Sequence, residues 1–206
     1  MPSPPPSRPG SSAEVAEPSR RPRNALRRHW RERRRLLLPA AEGGLRQAVA
    51  TVLAEWPRPG RLGLFWPLAG EPGLLPPPPW GGGLALPSVT APAPAGRLVY
   101  HPWSPGDPLE PDGCGIPAPT ALEPLDPAAL ALLLVPALAV DRRGVRLGYG
   151  GGWYDRLRAD PAWAAVPALV VVPHGCVVDR LDREPWDVPF SGWISERGLE
   201  TAAGDC

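Results

Sequence analysis

The sequence predicts one α/β domain, and three observations carry that expectation. Leu130–Val135 (LALLLV) and Val166–Val172 (VPALVVV) are continuous apolar runs rather than alternating ones. Such runs suit strands buried on both faces of a mainly parallel sheet. Between them lie a glycine cluster and a helix-like segment, Trp153–Ala159, so strand, loop, helix and strand follow one another. Further upstream, Leu45, Val49, Val52 and Leu53 recur at the spacing of a helix face. A chain of 206 residues is long enough to bury one substantial core.

In order along the chain, Met1–Pro22 is rich in Pro, Ser and Arg and offers little to bury. It is expected to be a disordered tail ahead of a single domain over 23–206. Arg23–Leu38 follows, and nine of the 22 arginines fall between Arg20 and Arg35. As a helix it places Arg23, Arg27, Arg31 and Arg34 on one face and Leu26, Trp30 and Leu37 on another. A solvated amphipathic helix accounts for that pattern, and so does a basic arm following a phosphate backbone. Ala40–Trp56 reads as a second helical segment, stopped by Pro57. Arg61–Trp66 (RLGLFW) reads as a buried strand. The loop beyond it ends at Glu71, which on residue type alone is an exposed acid.

Pro72–Gly83 cannot hold a helix, because proline inside one costs about 3 kcal/mol. Leu84–Val89 and Gly96–His101 read as strands. Pro102–Pro127 is long for a connection within a compact domain, which marks it as a candidate functional loop. After Val166–Val172, His174 and Cys176 stand close together with no third ligand or orienting acid near them in sequence. They are expected to be satisfied or surface residues.

Composition narrows the function. All 22 basic residues are arginine, and the net charge is +1, so no global field steers the chain to nucleic acid or membrane. The 33 prolines and 23 glycines are unusually many. Cys114, Cys176 and Cys206 form no C-x-x-C pair and fit a reducing cytoplasm. No apolar stretch reaches the length of a membrane span, and the N-terminus lacks the apolar core of a signal peptide.

The chemistry concentrates in Leu130–Leu157. An apolar strand, stopped by Pro136, leads through a turn at Asp141–Gly144 to Arg146 and then to Gly148, Gly150, Gly151 and Gly152. Glycines let backbone N–H groups approach a ligand, a following helix start adds donors, and arginine offers a fork suited to phosphate. Gly151 is expected at φ > 0. Asp155 supplies a hard oxygen of the kind Mg²⁺ prefers. No Gly-Lys-Ser/Thr follows, so this is no Walker loop. The third glycine of a dinucleotide fingerprint would fall at Trp153, so it is not that motif either.

R-L-G-Y-G-G-G-W-Y-D, preceded by V-P-A-L-A-V-D-R-R-G, strongly resembles the signature of the 5-formyltetrahydrofolate cyclo-ligases. The resemblance covers roughly 23–196 and includes a short C-G-I-P-A-P stretch, Cys114–Pro119, ahead of the main motif. It implies a three-layer α/β/α sandwich, Rossmann-like and related to the phosphosugar isomerase and CoA-transferase architecture. It also implies a reaction: ATP phosphorylates the formyl oxygen of 5-formyltetrahydrofolate, a neighbouring nitrogen closes the ring, and 5,10-methenyltetrahydrofolate, ADP and phosphate leave. ATP contacts are implied for Arg23, Arg27, Arg146, Leu147, Gly148, Tyr149, Gly150, Gly151, Gly152, Trp153 and Tyr154. Folate contacts are implied for Trp66, Glu71, Tyr149, the three consecutive glycines and Trp153. Asp155 and Asp187 would hold Mg²⁺, and Arg146 and Asp155 would serve the phosphoryl transfer.

The enzyme is expected to work as a monomer, with a small-molecule substrate and neither nucleic acid nor membrane. Three departures stand out: Arg23 where the family usually has Lys, the proline-rich 72–83 segment where it has a helix, and Ser191 where many members have an acid. The rivals that the residues leave open are another nucleotide- or sugar-phosphate enzyme and a nucleic-acid-binding module.

Overall fold

A computed structural model describes residues 23–57, 59–119 and 123–203. The expected disordered tail, 1–22, and Cys206 lie outside the described residues. The helices are α1 (Arg23–Glu55), α2 (Trp153–Arg158) and α3 (Pro161–Ala164). The strands are β1 (Arg61–Gly63), β2 (Leu84–Val89), β3 (Leu98–Trp103), β4 (Glu110–Pro111), β5 (Pro117–Ala118), β6 (Leu130–Pro136), β7 (Ala139–Asp141), β8 (Arg146–Leu147), β9 (Ala168–Val171), β10 (Val177–Val178), β11 (Gly192–Ser195) and β12 (Gly198–Thr201).

Seven strands form the main sheet in the order β12-β11-β9-β6-β1-β2-β3. The five inner strands run parallel, and β3 and β12 close the two edges antiparallel. Every residue of β6 and β9 is buried, as their apolar runs require. Side chains alternate across the sheet. Leu132, Leu134, Leu169 and Val171 meet Leu38, Leu45, Val49 and Leu53 of α1 on one face. Leu133, Val135, Ala168 and Val170 meet Leu157 of α2 and Trp163 of α3 on the other. The result is the three-layer α/β/α arrangement.

Two expected strands are shorter or shifted. Arg61–Trp66 keeps regular pairing only over β1, because the chain then leaves the sheet and carries Phe65 and Trp66 towards a cavity. Gly96–His101 shifts by two residues to become β3, where Pro102 is tolerated because an edge strand can spare an N–H. Pro87 lies inside β2, yet the N–H it lacks would face β1 beyond its end at Gly63. No helix forms over the described residues of 72–83.

The two expected helical segments are one 33-residue helix, about 50 Å long at the usual rise. Pro39 sits inside it on the solvent side. There the Arg35 carbonyl that loses its N–H partner can be hydrated, so the helix continues. Cores on both sides of Pro39 then hold it: Leu38, Leu45 and Val49 on the main sheet, and Leu26 and Trp30 against a second, three-stranded sheet, β10-β7-β8. Those strands are two or three residues long, too short for a readable period.

If packing alone carries the helix past Pro39, Pro39→Ala should raise stability by about 2 kcal/mol, the proline penalty less the entropy returned to the unfolded chain. Urea unfolding measures this, and an unchanged or lower midpoint would contradict it.

Candidate active site

The small sheet builds the floor of the site. Asp141 is completely buried. Its Oδ1 accepts from Arg143 N and Val145 N, each at 2.9 Å, and its Oδ2 accepts from Leu181 N at 3.0 Å and the Arg143 guanidinium at 2.8 Å. A carboxylate so satisfied fixes the β7–β8 turn and ties it to the segment leading to Asp187. The turn delivers Arg146, which is buried: Nη1 donates to Pro136 O at 3.3 Å, and Nη2 lies 3.5 Å from Asp155 Oδ1. Its guanidinium carbon sits 5.1 Å over the Tyr154 ring. Burial pushes the Tyr154 hydroxyl up to about 12, so it stays neutral beside that cation.

Two glycines carry the loop geometry. A Cβ on Gly148 would lie 2.7 Å from Arg146 Nη1, so only glycine lets the backbone lie against that guanidinium. Gly150 has φ 110°, a conformation foreign to residues with a Cβ. Gly151, expected at φ > 0, is not in that region. Its constraint is contact, since a Cβ there would lie 2.5 Å from Trp153 Nε1. Gly152 precedes α2 without a side-chain cap, but α2 has only six residues. The loop's own N–H groups therefore matter more here than a helix dipole.

Helix α1 supplies the wall. The Arg23–Arg27–Arg31–Arg34 face, for which the residues left open a solvated helix or a phosphate-following arm and the resemblance implied ATP contacts by Arg23 and Arg27, is turned towards this loop. Arg27 Nε donates to Gly148 O at 3.3 Å, and Nη1 donates to Asn24 Oδ1 at 2.8 Å. Burial first, and then the charge of Arg23, lowers the Arg27 pKa. Arg34 is 1% exposed, and Nη1 donates to Ala137 O at 2.7 Å. Arg23 donates to Asp187 Oδ2 at 2.6 Å and lies 3.8 Å from Glu184. The resemblance gave Arg23 to phosphate and Asp187 to magnesium, whereas the structure pairs them with each other.

The exit of β1 supplies the third side. Glu71, read on residue type as an exposed loop acid, is 6% exposed, and its Oε2 accepts from Leu68 N at 2.8 Å. All the residues named from the resemblance line one cavity of about 370 Å³: Trp66, Glu71, Arg23, Arg27, Arg146–Asp155 and Asp187. Sequence reading missed others on the same wall. Asp112, Cys114 and Ile116 come from the long connection, which folds back as the β4–β5 ribbon, and Trp186 stands 63% exposed. For Asp112, Cys114 and Ile116 the signals were the length of that connection and the likeness of Cys114–Pro119 to a short stretch of the family. His174 and Cys176 lie away from the cavity in a 3₁₀ turn. There His174 N donates to Glu196 at 2.8 Å, and Cys176 is buried with its thiol pushed up to about 11.

Among the described residues no group of three or more His, Cys, Asp or Glu could hold a metal unaided. Asp155 and Asp187 line the cavity with the arginines. Two carboxylates beside a phosphate site suit Mg²⁺, which keeps waters and takes phosphate oxygens, rather than an ion needing a full protein cage.

Replacing Gly150 by Val would force the loop out of its left-handed conformation, at about 2 kcal/mol or roughly 30-fold in ATP affinity. Gly150 is exposed, so the melting temperature should fall by only a few degrees. Calorimetric titration with ATP alongside a thermal melt checks this. Parental affinity would show that the loop does not cradle the nucleotide.

Comparison with known proteins gives a consistent result. The 5-formyltetrahydrofolate cyclo-ligase family model matches residues 87–194. The 5-formyltetrahydrofolate cyclo-ligase of Escherichia coli strain K12 is 31% identical over 176 residues, covering 80% of this chain and 95% of that protein. The protein of the same name from Mycolicibacterium smegmatis is 42% identical over a shorter match of 69 residues, 33% of this chain and 35% of that one. Aquifex aeolicus 5,10-methenyltetrahydrofolate synthetase superposes with a TM-score of 0.67 at 25% identity, covering 89% of this chain and 94% of that one. The synthetase from Mycoplasma pneumoniae shares the fold, with a TM-score of 0.61 at 17% identity over 84% and 98% of the two chains. With the signature loop, the sheet order and these matches in agreement, the chain belongs to the 5-formyltetrahydrofolate cyclo-ligase family.

Proposed function

We propose that this protein converts 5-formyltetrahydrofolate to 5,10-methenyltetrahydrofolate at the expense of ATP, releasing ADP and phosphate. The observation that carries the reading is a single cavity in which Arg27, Arg146 and a glycine loop face two carboxylates at one end, with Trp66 and buried Glu71 on its wall. Cationic groups and N–H donors held in place suit phosphoryl transfer, where positioning and charge neutralisation dominate.

Each residue has a role in this account. Arg27, Arg146 and the N–H groups of Gly148–Trp153 bind the phosphates, and Arg23, paired with Asp187, adds charge at that end of the cavity. Asp155 and Asp187 would hold Mg²⁺, which when bound neutralises phosphate charge. Trp66, Tyr149 and Trp153 shape the folate side, and Glu71 accepts from it. The phosphoryl group passes from ATP to the formyl oxygen, the neighbouring folate nitrogen attacks the activated carbon, and phosphate departs. No protein nucleophile takes part. The described cysteines, Cys114 and Cys176, are free. No helix among the described residues is long and apolar enough to cross a membrane.

An absorbance assay with 5-formyltetrahydrofolate, ATP and Mg²⁺ tests the proposal. Methenyl product should form only with both ATP and the metal, and Arg146→Ala should lower kcat/KM by about 10²–10³. Full-rate turnover in EDTA would overturn the metal assignment. No turnover under any condition would overturn the function.

A further inference from the structure

The reading above gives Glu71 a part in holding folate but leaves open what holds Glu71 and Tyr149 in place. Among the described residues Arg34 is the most completely buried arginine, at 1% exposure, and it forms no salt bridge. A buried charge so placed is costly unless its fork is used. One arm is spent on Ala137 O, which anchors it to the turn between β6 and β7. The other donates to the Tyr149 hydroxyl, and the guanidinium carbon lies 5.2 Å over the Tyr149 ring. Arg31, one turn earlier on α1, lies 5.7 Å over the same ring. The Arg34 fork also reaches the loop that carries Glu71, because a Cβ on Gly70 would lie 3.9 Å from Nη2.

Donor counting gives the arrangement a direction. An arginine can only donate, so the Tyr149 oxygen is the acceptor and its own proton remains to be donated. Tyr149 and Glu71 line the same cavity. We infer that Arg34 is a positioning residue for the folate half of the site: it orients the Tyr149 hydroxyl towards Glu71 and so fixes the carboxylate that receives the substrate. Burial, and next the charge of Glu71, pushes the Tyr149 pKa up, which keeps the phenol protonated as a donor. Arg34 itself does not touch the substrate. The phosphate end is held separately by Arg27 and Arg146, so this unit acts on folate and not on ATP.

The inference rests on the cyclo-ligase reading, and the test separates the two. The full-length parent is first assayed for methenyl formation. Tyr149→Phe then removes one hydroxyl and keeps the ring. Arg34→Lys keeps the charge but loses the fork that spans Ala137 O and Tyr149. Each should raise KM for 5-formyltetrahydrofolate about tenfold, the scale of one lost hydrogen bond to a charged group, with KM for ATP within about twofold of the parent. The double variant should be no worse than either single one, because both break the same relay. Additive losses, equal shifts in both KM values, or a parental folate KM in Tyr149→Phe would overturn the inference while the parent's turnover upheld the function. A parent without turnover would overturn both.

Discussion

Helix α1 runs for 33 residues, and only its second half is held by the leucines of the main sheet. The first half has to be held by something else, and what holds it also makes the site. Leu26 and Trp30 pack on the small sheet, Arg34 donates to Ala137 O, and Arg27 donates to Gly148 O. Each of these contacts joins residues more than 100 positions apart. Without them the glycine loop would face solvent on one side, with backbone donors but few cations. With them a phosphate entering the cavity meets charge from two directions.

The second constraint is Asp141. It lies outside the cavity lining, yet Arg143 N, the Arg143 guanidinium and Val145 N from the β7–β8 turn, and Leu181 N from beyond it, all donate to it. It therefore sets the register of the strand that delivers Arg146, and it fixes the start of the segment that carries Asp187.

The parts legible in the sequence were those whose signal is local. β6 and β9 show as unbroken apolar runs because both faces are covered, and the loop shows as a cluster of glycines after a strand. The burial of Glu71 was not legible from its own residue type. It follows from the chain leaving β1 early and folding inward, which depends on partners far away in sequence. Arg34 was hidden for a related reason: in a run of arginines nothing local separates the one that is buried against Ala137 O and Tyr149 from those that face water. The continuity of α1 through Pro39 was masked because propensity speaks against it, and packing on both sides overrides propensity. The small sheet left no period because its strands are two or three residues long.

The central claim is that α1 completes the nucleotide site by laying Arg27 across the glycine loop. Its most direct test is the ATP dissociation constant of Arg27→Ala against the parent, measured by titration calorimetry with the melting temperature as control. Arg27 is half-buried and serves no core, so the melting temperature should hardly move. The lost charge-assisted contact should weaken ATP about 10- to 100-fold. An unchanged dissociation constant in a folded variant would contradict the account.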